Sequence, residues 1–236
     1  MCGRFFLSTS GAEIARHFGL AEVPDLAPRF NLAPGQPVPV IRARRSAPGL
    51  RVLEMRRWGL VPHWATDVRA GTRHVNARAE TAGTLPAFRS AMSRRRALVP
   101  ADGFYEWQRR GRSVQPFAVQ VRGGALFAMA ALYERWWPPG DRSTMPEAAP
   151  LDTFTVLTTD ANERVRPVHD RMPVVVAPED YARWLDPTLQ DPEAVAGILR
   201  PCPAAWIELR RVGRRVNDPR EEGPELLAPE RDLFSP

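Results

Sequence analysis

The sequence predicts a single α+β domain in which a mostly antiparallel sheet carries short helices at its edges. The chain has 236 residues, of which 44% are hydrophobic, so it can bury one substantial core without a second domain. Its apolar segments are short and are bounded by turn formers drawn from 16 Gly and 25 Pro. No internal repeat interrupts this pattern. The prediction is therefore one domain over residues 1–236.

The helices are predicted where apolar residues recur at helical spacing. Residues 12–18 place Ile14, Ala15 and Phe18 on one face and are followed by Gly19, which suits a helix C-terminus. Two further short helices are expected at residues 178–185 and 192–199, and each of these begins with a proline.

The strands are predicted where β-branched and aromatic residues lie between turn signals. They are residues 36–44, 50–55, 97–107 with a break at Asp102 and Gly103, 117–121, 125–132 and 154–158. Trp58, which follows the second of these strands, is expected in the core. Residues 136–149 lack periodicity and predict an exposed loop, and residues 220–236 predict an extended tail.

The charge of the chain favours a polyanionic partner. The formal net charge is +6, and all 33 residues counted as Lys plus Arg are Arg. Arginine binds phosphate through a planar pair of donors, although a base-composition bias that also enriches Ala and Pro accounts for the same excess. An imine with an aldehyde normally needs a lysine amine. Because this chain has no lysine, imine chemistry would have to use the α-amine at the N-terminus.

The cysteines indicate a cytoplasmic, reducing environment. Cys2 and Cys202 are too few for a disulfide framework, and the first residues show no secretion signal. The most apolar stretch, residues 125–132, is far shorter than the ~20 residues of a membrane span. We therefore expect no membrane association, and we interpret Cys202 as a buried small hydrophobic residue.

Cys2 gains a special chemistry if Met1 is removed, which normally happens before a small second residue. The mature chain would then carry an amine and a thiol on adjacent carbons, with reference pKa values of about 7.7–8.0 and about 8.5. Attack of the amine on an aldehyde gives an imine, and addition of the thiol closes a five-membered thiazolidine. The alternative is an ordinary small residue at a frayed terminus.

Five motifs combine aromatic, amide, carboxylate, imidazole and guanidinium groups. They are MCGRF (1–5), WGLVPHW (58–64), VNARAET (75–81), VPADGFYEW (99–107) and VHDRMPVVV (168–176). Together they resemble the SRAP family, the SOS-response-associated peptidases or abasic-site processing proteins, in register over residues 1–176. The resemblance implies a barrel-like α+β domain whose N-terminal Cys crosslinks to abasic sites in single-stranded DNA, including single-strand/duplex junctions. It also implies associated lyase activity and self-processing ahead of the Cys.

The resemblance assigns three more residues to the chemistry of Cys2. Asn76 corresponds to the family Asn that hydrogen-bonds the captured sugar, and Glu106 corresponds to the active-site carboxylate. His169 corresponds to the family histidine, and its near-neutral pKa suits proton transfer to the opened sugar. Outside this context an Asn is usually a turn former, such a Glu is usually at the surface, and such a His is usually structural.

The DNA-binding residues are predicted close to these groups. Arg4, Arg78 and Arg171 are expected to clamp phosphates, and Trp64 is expected to stack on a base. The NLAP motif (31–34) also resembles a family block, so Asn31 and Pro34 are expected to shape the loop over the N-terminus and to join the DNA-binding surface. Some family members carry a Trp pair where this chain has Trp64 and Ala65, which leaves the size of the stacking wedge open.

Three alternative functions remain at this point. A metal hydrolase is disfavoured because the four histidines form no HExxH motif and the two cysteines have no zinc-ligand spacing. A thiol peptidase would use Cys2 with His169 and Glu106. A non-covalent single-strand binder would explain the arginines and the exposed Trp but not Glu106 or His169. The favoured prediction needs no cofactor and no metal, and it describes a monomer.

Overall fold

The computed structural model describes residues 2–44, 46–47, 49–139 and 149–230. Its strands are β1 Arg4–Leu7, β2 Arg29–Leu32, β3 Pro37–Ala43, β4 Arg51–Trp58, β5 Asn76–Arg78, β6 Arg96–Ala101, β7 Gly103–Arg110, β8 Ser113–Val121, β9 Phe127–Trp136, β10 Leu151–Asp160, β11 Arg171–Pro173, β12 Val175–Val176 and β13 Ile207–Arg211. Its α-helices are α1 Gly11–Phe18, α2 Ala79–Ala82, α3 Arg89–Arg94 and α4 Tyr181–Leu185. The predicted strands are confirmed, and most of them extend by a few residues.

Five strands close into a barrel. The ring runs β10, β4, β3, β6 and β9, and β9 pairs again with β10, so every member has a neighbour on both sides. These pairs are antiparallel except for β10 with β4, where Phe154 lies opposite Trp58. The single α+β domain and its barrel are therefore confirmed. Trp58 is in the core as predicted, and its indole Nε1 donates to the carbonyl oxygen of Val75 at 2.9 Å.

A second sheet brings the N-terminus to the VPADGFYEW motif. Its order is β13, β8, β7, β1 and β2, and all of its pairs are antiparallel. In the pair of β1 with β7, Arg4 lies opposite Tyr105 and Phe5 lies opposite Phe104. Cys2, two residues before Arg4, is thereby directed toward the segment of β7 that contains Glu106.

The predicted break at Asp102 and Gly103 is the point where the chain passes from the barrel to the second sheet. Strand β6 ends at Ala101 and β7 begins at Gly103. Asp102 accepts hydrogen bonds from the backbone and hydroxyl groups of Ser8 and Thr9 at 2.6–2.9 Å, which anchors the end of β1. A side chain at Gly103 would meet the ring of Phe6 at 2.2 Å, so the close approach of β1 requires glycine here.

The predicted helices form at the predicted positions, but some of their turns are 3₁₀ and not α-helical. Helix α1 begins after Ser10, whose hydroxyl accepts from the amide of Glu13 at 3.3 Å, and it ends at Gly19, whose φ is 63°. The segment predicted at 178–185 is a 3₁₀ turn, Pro178–Asp180, followed by α4. The segment predicted at 192–199 is the 3₁₀ helix Pro192–Ile198.

Further 3₁₀ helices lie at Val68–Arg73, Arg122–Gly124, Ala204–Trp206, Arg214–Asn217 and Pro224–Leu227. The last of these corrects the prediction of an extended tail from residue 220. Leu226 is buried, and Glu222 accepts from Arg29 and from the amide of Phe30, each at 2.8 Å. These contacts attach the described part of the tail to β2. Most of the loop predicted at 136–149, and the end of the tail, lie outside the described residues.

Candidate active site

Cys2 lies just before β1, and its side chain is fully buried. Its Sγ lies 3.9 Å from the carbonyl oxygen of Arg4. Burial, and secondly the nearby charge of Glu106, raises the pKa of the Cys2 thiol far above its ordinary value. The sequence alone predicts a thiol near its reference pKa, and the structure differs because the side chain is desolvated. The thiol is therefore protonated at neutral pH.

Asn76 contacts the backbone of Cys2 directly. It is the first residue of β5 and lies opposite Val156 of β10. Its Nδ2 donates to the carbonyl oxygen of Cys2 at 2.8 Å, which fixes the orientation of the amide. Its Oδ1 is buried and accepts no hydrogen bond from the described residues. Asn76 therefore positions Cys2 and presents a buried acceptor beside it.

Glu106 is a buried carboxyl group on β7, with 1% of its surface exposed. Burial raises its pKa to about 7. Its neighbour Tyr105 lies opposite Arg4 in the pair of β1 with β7, so Glu106 lies beside the residues that follow Cys2. A carboxyl group with a pKa near neutrality can both give and take a proton under ordinary conditions, as an acid–base group must.

His169 precedes β11 and is neutral in this arrangement. Its Nδ1 accepts the backbone N–H of Arg171 at 2.9 Å and also lies 2.9 Å from Oδ1 of Asp170. One nitrogen cannot accept from the first group and donate to the second at the same time. Burial lowers the pKa of His169, which favours the neutral ring and the bond from Arg171. In that tautomer the ring proton is on Nε2.

The loop before His169 is joined to the strand of Glu106. Gln108, two residues after Glu106, donates from Nε2 to the carbonyl oxygen of Pro167 at 2.7 Å. The charge of Asp170, which follows His169, adds to the burial that raises the pKa of Glu106. The structure thus places Cys2, Asn76, Glu106 and His169 around one centre.

Arg4, a predicted phosphate contact, and Asn31, predicted to join the DNA-binding surface, lie together but face the protein. Arg4 donates from Nη1 to Asn31 at 3.0 Å and to the carbonyl oxygen of Val216 at 2.8 Å. Asn31 is fully buried and donates from Nδ2 to the carbonyl oxygens of Asp218 and Glu221 at 2.9 and 3.0 Å. The side chain of Asn31 therefore holds the C-terminal segment against β2 and is not on the surface.

The other two predicted clamps differ from each other. Arg171 forms ion pairs with Glu80 at 2.8 Å and with Asp160 at 2.7 Å, and only 12% of its side chain is exposed. Arg78, at the end of β5, is exposed and forms no ion pair within the described ranges. Arg171 therefore stiffens the sheet beside the site, and Arg78 presents an uncompensated positive charge.

The predicted stacking residue is at the surface. Trp64 is 58% exposed. Ala65 is buried against Val61 and Trp136, and Trp136 Nε1 donates to its carbonyl oxygen at 2.7 Å. Position 65 is therefore buried, and Trp64 is the exposed indole of this segment. Pro34 is exposed in the turn between β2 and β3.

Two residues of the site have no role in the sequence-based prediction. Asp170 is inside the motif VHDRMPVVV and contacts His169, and Gln108 follows the motif VPADGFYEW. The polar pattern of the first motif could have indicated Asp170. Gln108 gives no such signal, because its contact with Pro167 depends on the tertiary packing of two distant segments.

Two further observations concern metals and membranes. Within residues 2–44, 46–47, 49–139 and 149–230, no three His, Cys, Asp or Glu side chains are grouped so that they could hold a metal ion. In the same residues, no helix has the length and apolarity that crossing a membrane requires.

Comparison with protein families places the chain among known sequences. The model of the SRAP family, SOS response associated peptidase, matches residues 1–219. The abasic site processing protein YoqW of Bacillus subtilis is 38% identical over 231 residues, which cover 96% of this chain and 99% of that protein. The abasic site processing protein HMCES of Gallus gallus is 29% identical, covering 97% of this chain and 78% of that protein.

Solved structures share the fold. A crystal structure of a protein from Bacteroides thetaiotaomicron has a TM-score of 0.82 at 23% identity and covers 97% of this chain and 99% of its own. A protein from Bordetella bronchiseptica has a TM-score of 0.73 at 24% identity and covers 90% of this chain and 100% of its own. At these identities the likeness concerns the fold alone.

Proposed function

The chain belongs to the SRAP family, and from this premise we propose that it captures abasic sites in single-stranded DNA as a covalent thiazolidine on Cys2. The relatives named above are abasic site processing proteins. An abasic deoxyribose opens to an aldehyde at C1′, and an N-terminal aminothiol is a reagent for aldehydes. The observation that carries the proposal is the convergence of Asn76, Glu106 and His169 on residue 2.

The first step is formation of an imine. The unprotonated α-amine of Cys2 attacks C1′, the C–N bond forms, and a proton passes from nitrogen to the former carbonyl oxygen. Loss of that oxygen as water, with transfer of the remaining N–H proton to the group that protonated the water, gives the imine. Glu106 in its protonated form can supply the proton that the leaving water requires, and its pKa of about 7 keeps that form available near neutrality.

The second step closes the ring. The Cys2 sulfur adds to C1′, and the imine nitrogen gains a proton while the thiol loses one. A C–S bond forms, and the C=N double bond becomes a C–N single bond. The product is the aldehyde and the aminothiol joined with loss of one water, and no oxidant is needed. The raised pKa of the thiol makes prior thiolate formation costly. Glu106, reprotonated by the N–H proton that is lost when the imine forms, can deliver a proton to nitrogen and receive the thiol proton in exchange.

Asn76 and His169 act on the captured sugar. The buried Oδ1 of Asn76 can accept a hydrogen bond from a sugar hydroxyl, while its Nδ2 holds Cys2 in place. The Nε2–H of neutral His169 can donate to the hydroxyl released when the sugar ring opens. The same imine also permits strand cleavage by β-elimination, so lyase activity would compete with ring closure.

The undamaged part of the strand would bind through Arg78 and Trp64, with Pro34 at the rim. Arg78 offers an uncompensated charge to a phosphate, and Trp64 offers an exposed ring to a base. Arg4, Arg171 and Asn31 would support this surface through the contacts that hold β1, β2 and β11. Binding of this kind requires no cofactor.

The raised pKa of the thiol weighs against a general thiol peptidase. Such an enzyme attacks with a thiolate and therefore needs its cysteine pKa lowered, commonly by a protonated histidine. Here burial raises the pKa of Cys2 and lowers that of His169, so both shifts oppose the ion pair.

The decisive experiment incubates the purified protein with a single-stranded oligonucleotide that carries one abasic site. After denaturation we expect a complex whose mass is that of mature protein plus oligonucleotide less one water. Cys2→Ala should give no complex without reductant but should be trapped by borohydride, because it keeps the α-amine and loses the thiol. Cys202→Ala should crosslink like the wild type. A stable complex in Cys2→Ala without borohydride, or none in the wild type, contradicts the proposal.

A further inference from the structure

A cavity of about 340 Å³ lies at a second place in the barrel, where β4, β9 and β10 carry charged side chains. Four arginines and two carboxylates line it together with two aromatic rings: Arg42, Arg56, Arg95, Arg135, Glu134, Asp152, Tyr133 and Trp137. None of these is a predicted site residue. Asp152 precedes Val156, the partner of Asn76, by four positions of β10, which corresponds to about 13 Å. The cavity is therefore separate from the Cys2 centre.

Arg56 is the unusual member of the cavity. Its side chain is 3% exposed, and its guanidinium lies 4.4 Å from the centre of the Tyr133 ring. Its Nη2 donates to Glu54 at 2.6 Å, and its Nη1 lies 3.2 Å from Asp152. Nη1 is held by its ion pair with Asp152, whereas Nε makes no hydrogen bond within the described residues. Buried donors of a charged group are normally satisfied, so Nε leaves a donor for a further acceptor.

The surrounding carboxylates hold the arginines in fixed positions. Arg135 donates to both oxygens of Asp152 at 2.8 Å, and Arg95 donates to Glu134 at 2.7 Å. Hydrogen bonds from Arg135 lower the pKa of Asp152, so this carboxylate stays charged. With Glu54, which pairs with Arg42 and Arg56, four guanidinium groups stand against three carboxylates. Rigid guanidinium donors with excess positive charge suit the oxygens of a phosphate.

The cavity adjoins the loop that carries the exposed indole. His63 Nδ1 lies 3.6 Å from Glu134, a residue of the cavity wall, and Trp64 follows His63 in the chain. A nucleic-acid strand stacked on Trp64 would therefore have a phosphate near the arginines. We propose, on the basis of the single-strand binding proposed above, that this cavity binds a phosphate group of a DNA strand, outside the crosslinking centre.

The test uses Cys2→Ala protein, so that crosslinking plays no part and the two proposals can fail separately. Fluorescence anisotropy measures binding of an undamaged single-stranded oligonucleotide at several salt concentrations. Arg135→Gln should weaken binding about 3- to 10-fold and reduce the slope of log affinity against log salt by about one. Arg122→Gln is the matched control, because it removes a comparably exposed arginine (66% against 57% for Arg135) from an ion pair with Glu208 elsewhere.

A second arm distinguishes a strand from a free anion. Inorganic phosphate is titrated against chloride at constant ionic strength while the Nε–H resonances of arginine are followed by NMR. A response to the oligonucleotide alone assigns the site to a strand, and a response to phosphate alone assigns it to a free anion. If neither probe distinguishes Arg135→Gln from Arg122→Gln, the site is disproved. Arg56→Gln is tested in the same way if thermal unfolding shows that it is folded. If it is not folded, Arg135→Gln alone decides whether the site exists.

Discussion

The Cys2 centre and the arginine cavity both bury ionisable groups, but the first favours their neutral forms and the second favours their charged forms. At the Cys2 centre burial raises the pKa of Cys2 and of Glu106 and lowers that of His169, so each group is driven toward its neutral form. In the cavity, hydrogen bonds from Arg135 lower the pKa of Asp152. A carboxyl group with a pKa near 7, as at Glu106, can exchange protons, whereas fixed charges can bind an anion. We therefore expect chemistry at the first region and anion binding at the second.

The largest expected effect is on the rate of crosslinking. Glu106→Gln removes the acid–base group and keeps its shape, so we expect the rate at saturating abasic DNA to fall about 100-fold. The measurement is the time course of the denaturation-resistant complex. Glu179→Gln, which changes an exposed glutamate on the 3₁₀ turn before α4, should keep the wild-type rate. A wild-type rate in Glu106→Gln would remove Glu106 from the chemistry.

The second expected effect is on the free energy of unfolding, whose dependence on pH has opposite signs in the two regions. The pKa of Glu106 is raised in the fold to about 7, from 4.5. Its contribution to stability is therefore present below pH 4.5 and is lost as the pH rises through 7. At pH 9 Glu106→Gln should be more stable than the wild type by on the order of 3 kcal/mol, with little difference at pH 5.

Glu54, beside the cavity, provides the opposite case. Burial would raise its pKa, but hydrogen bonds and charge from Arg42 and Arg56 outweigh burial and lower it. Its contribution is present above the unfolded pKa and is lost in acid, so Glu54→Gln should destabilise the protein at neutral pH. Thermal unfolding of both variants across pH 5–9 checks the contrast. Parallel pH profiles for the two would contradict it.

The comparison of the two regions also shows which functional residues could be predicted from the sequence alone. Cys2, Asn76, Glu106 and His169 are recognisable because each is inside a local motif. The cavity is not, because its charges come from strands whose register is set only by barrel closure. Asn31 shows the same limit. As part of NLAP it resembles a surface loop residue, but its burial depends on a segment 185 positions later in the chain. Local pattern therefore predicts chemistry better than it predicts burial.

A smaller effect is expected at the indole beside the cavity. Trp64→Ala removes an exposed stacking surface, so affinity for undamaged single strands should fall about 10-fold, within the ~1–3 kcal/mol range for one stacked base. Trp206→Ala is a matched control, since Trp206 is also exposed but lies on the 3₁₀ helix before β13. Equal losses in both variants, measured by anisotropy, would show a non-specific effect of removing an indole.

The smallest expected effect, and the one that probes the Cys2 centre most finely, is at Asp170. Its carboxylate opposes the burial that lowers the pKa of His169, and it adds to the burial that raises the pKa of Glu106. Asp170→Asn keeps the size and removes the charge, so both pKa values should fall. The midpoints of the crosslinking rate against pH, and of the His169 ring resonances by NMR, should move down by a few tenths of a unit. Asp25→Asn, which changes an exposed aspartate elsewhere, should leave both midpoints in place.

Because Asp170 is itself largely exposed, solvent screens its charge, and raising the salt concentration should shrink the difference between Asp170→Asn and the wild type. A shift that persists undiminished at high salt would mean that Asp170 acts by holding the His169 ring in position and not by its charge.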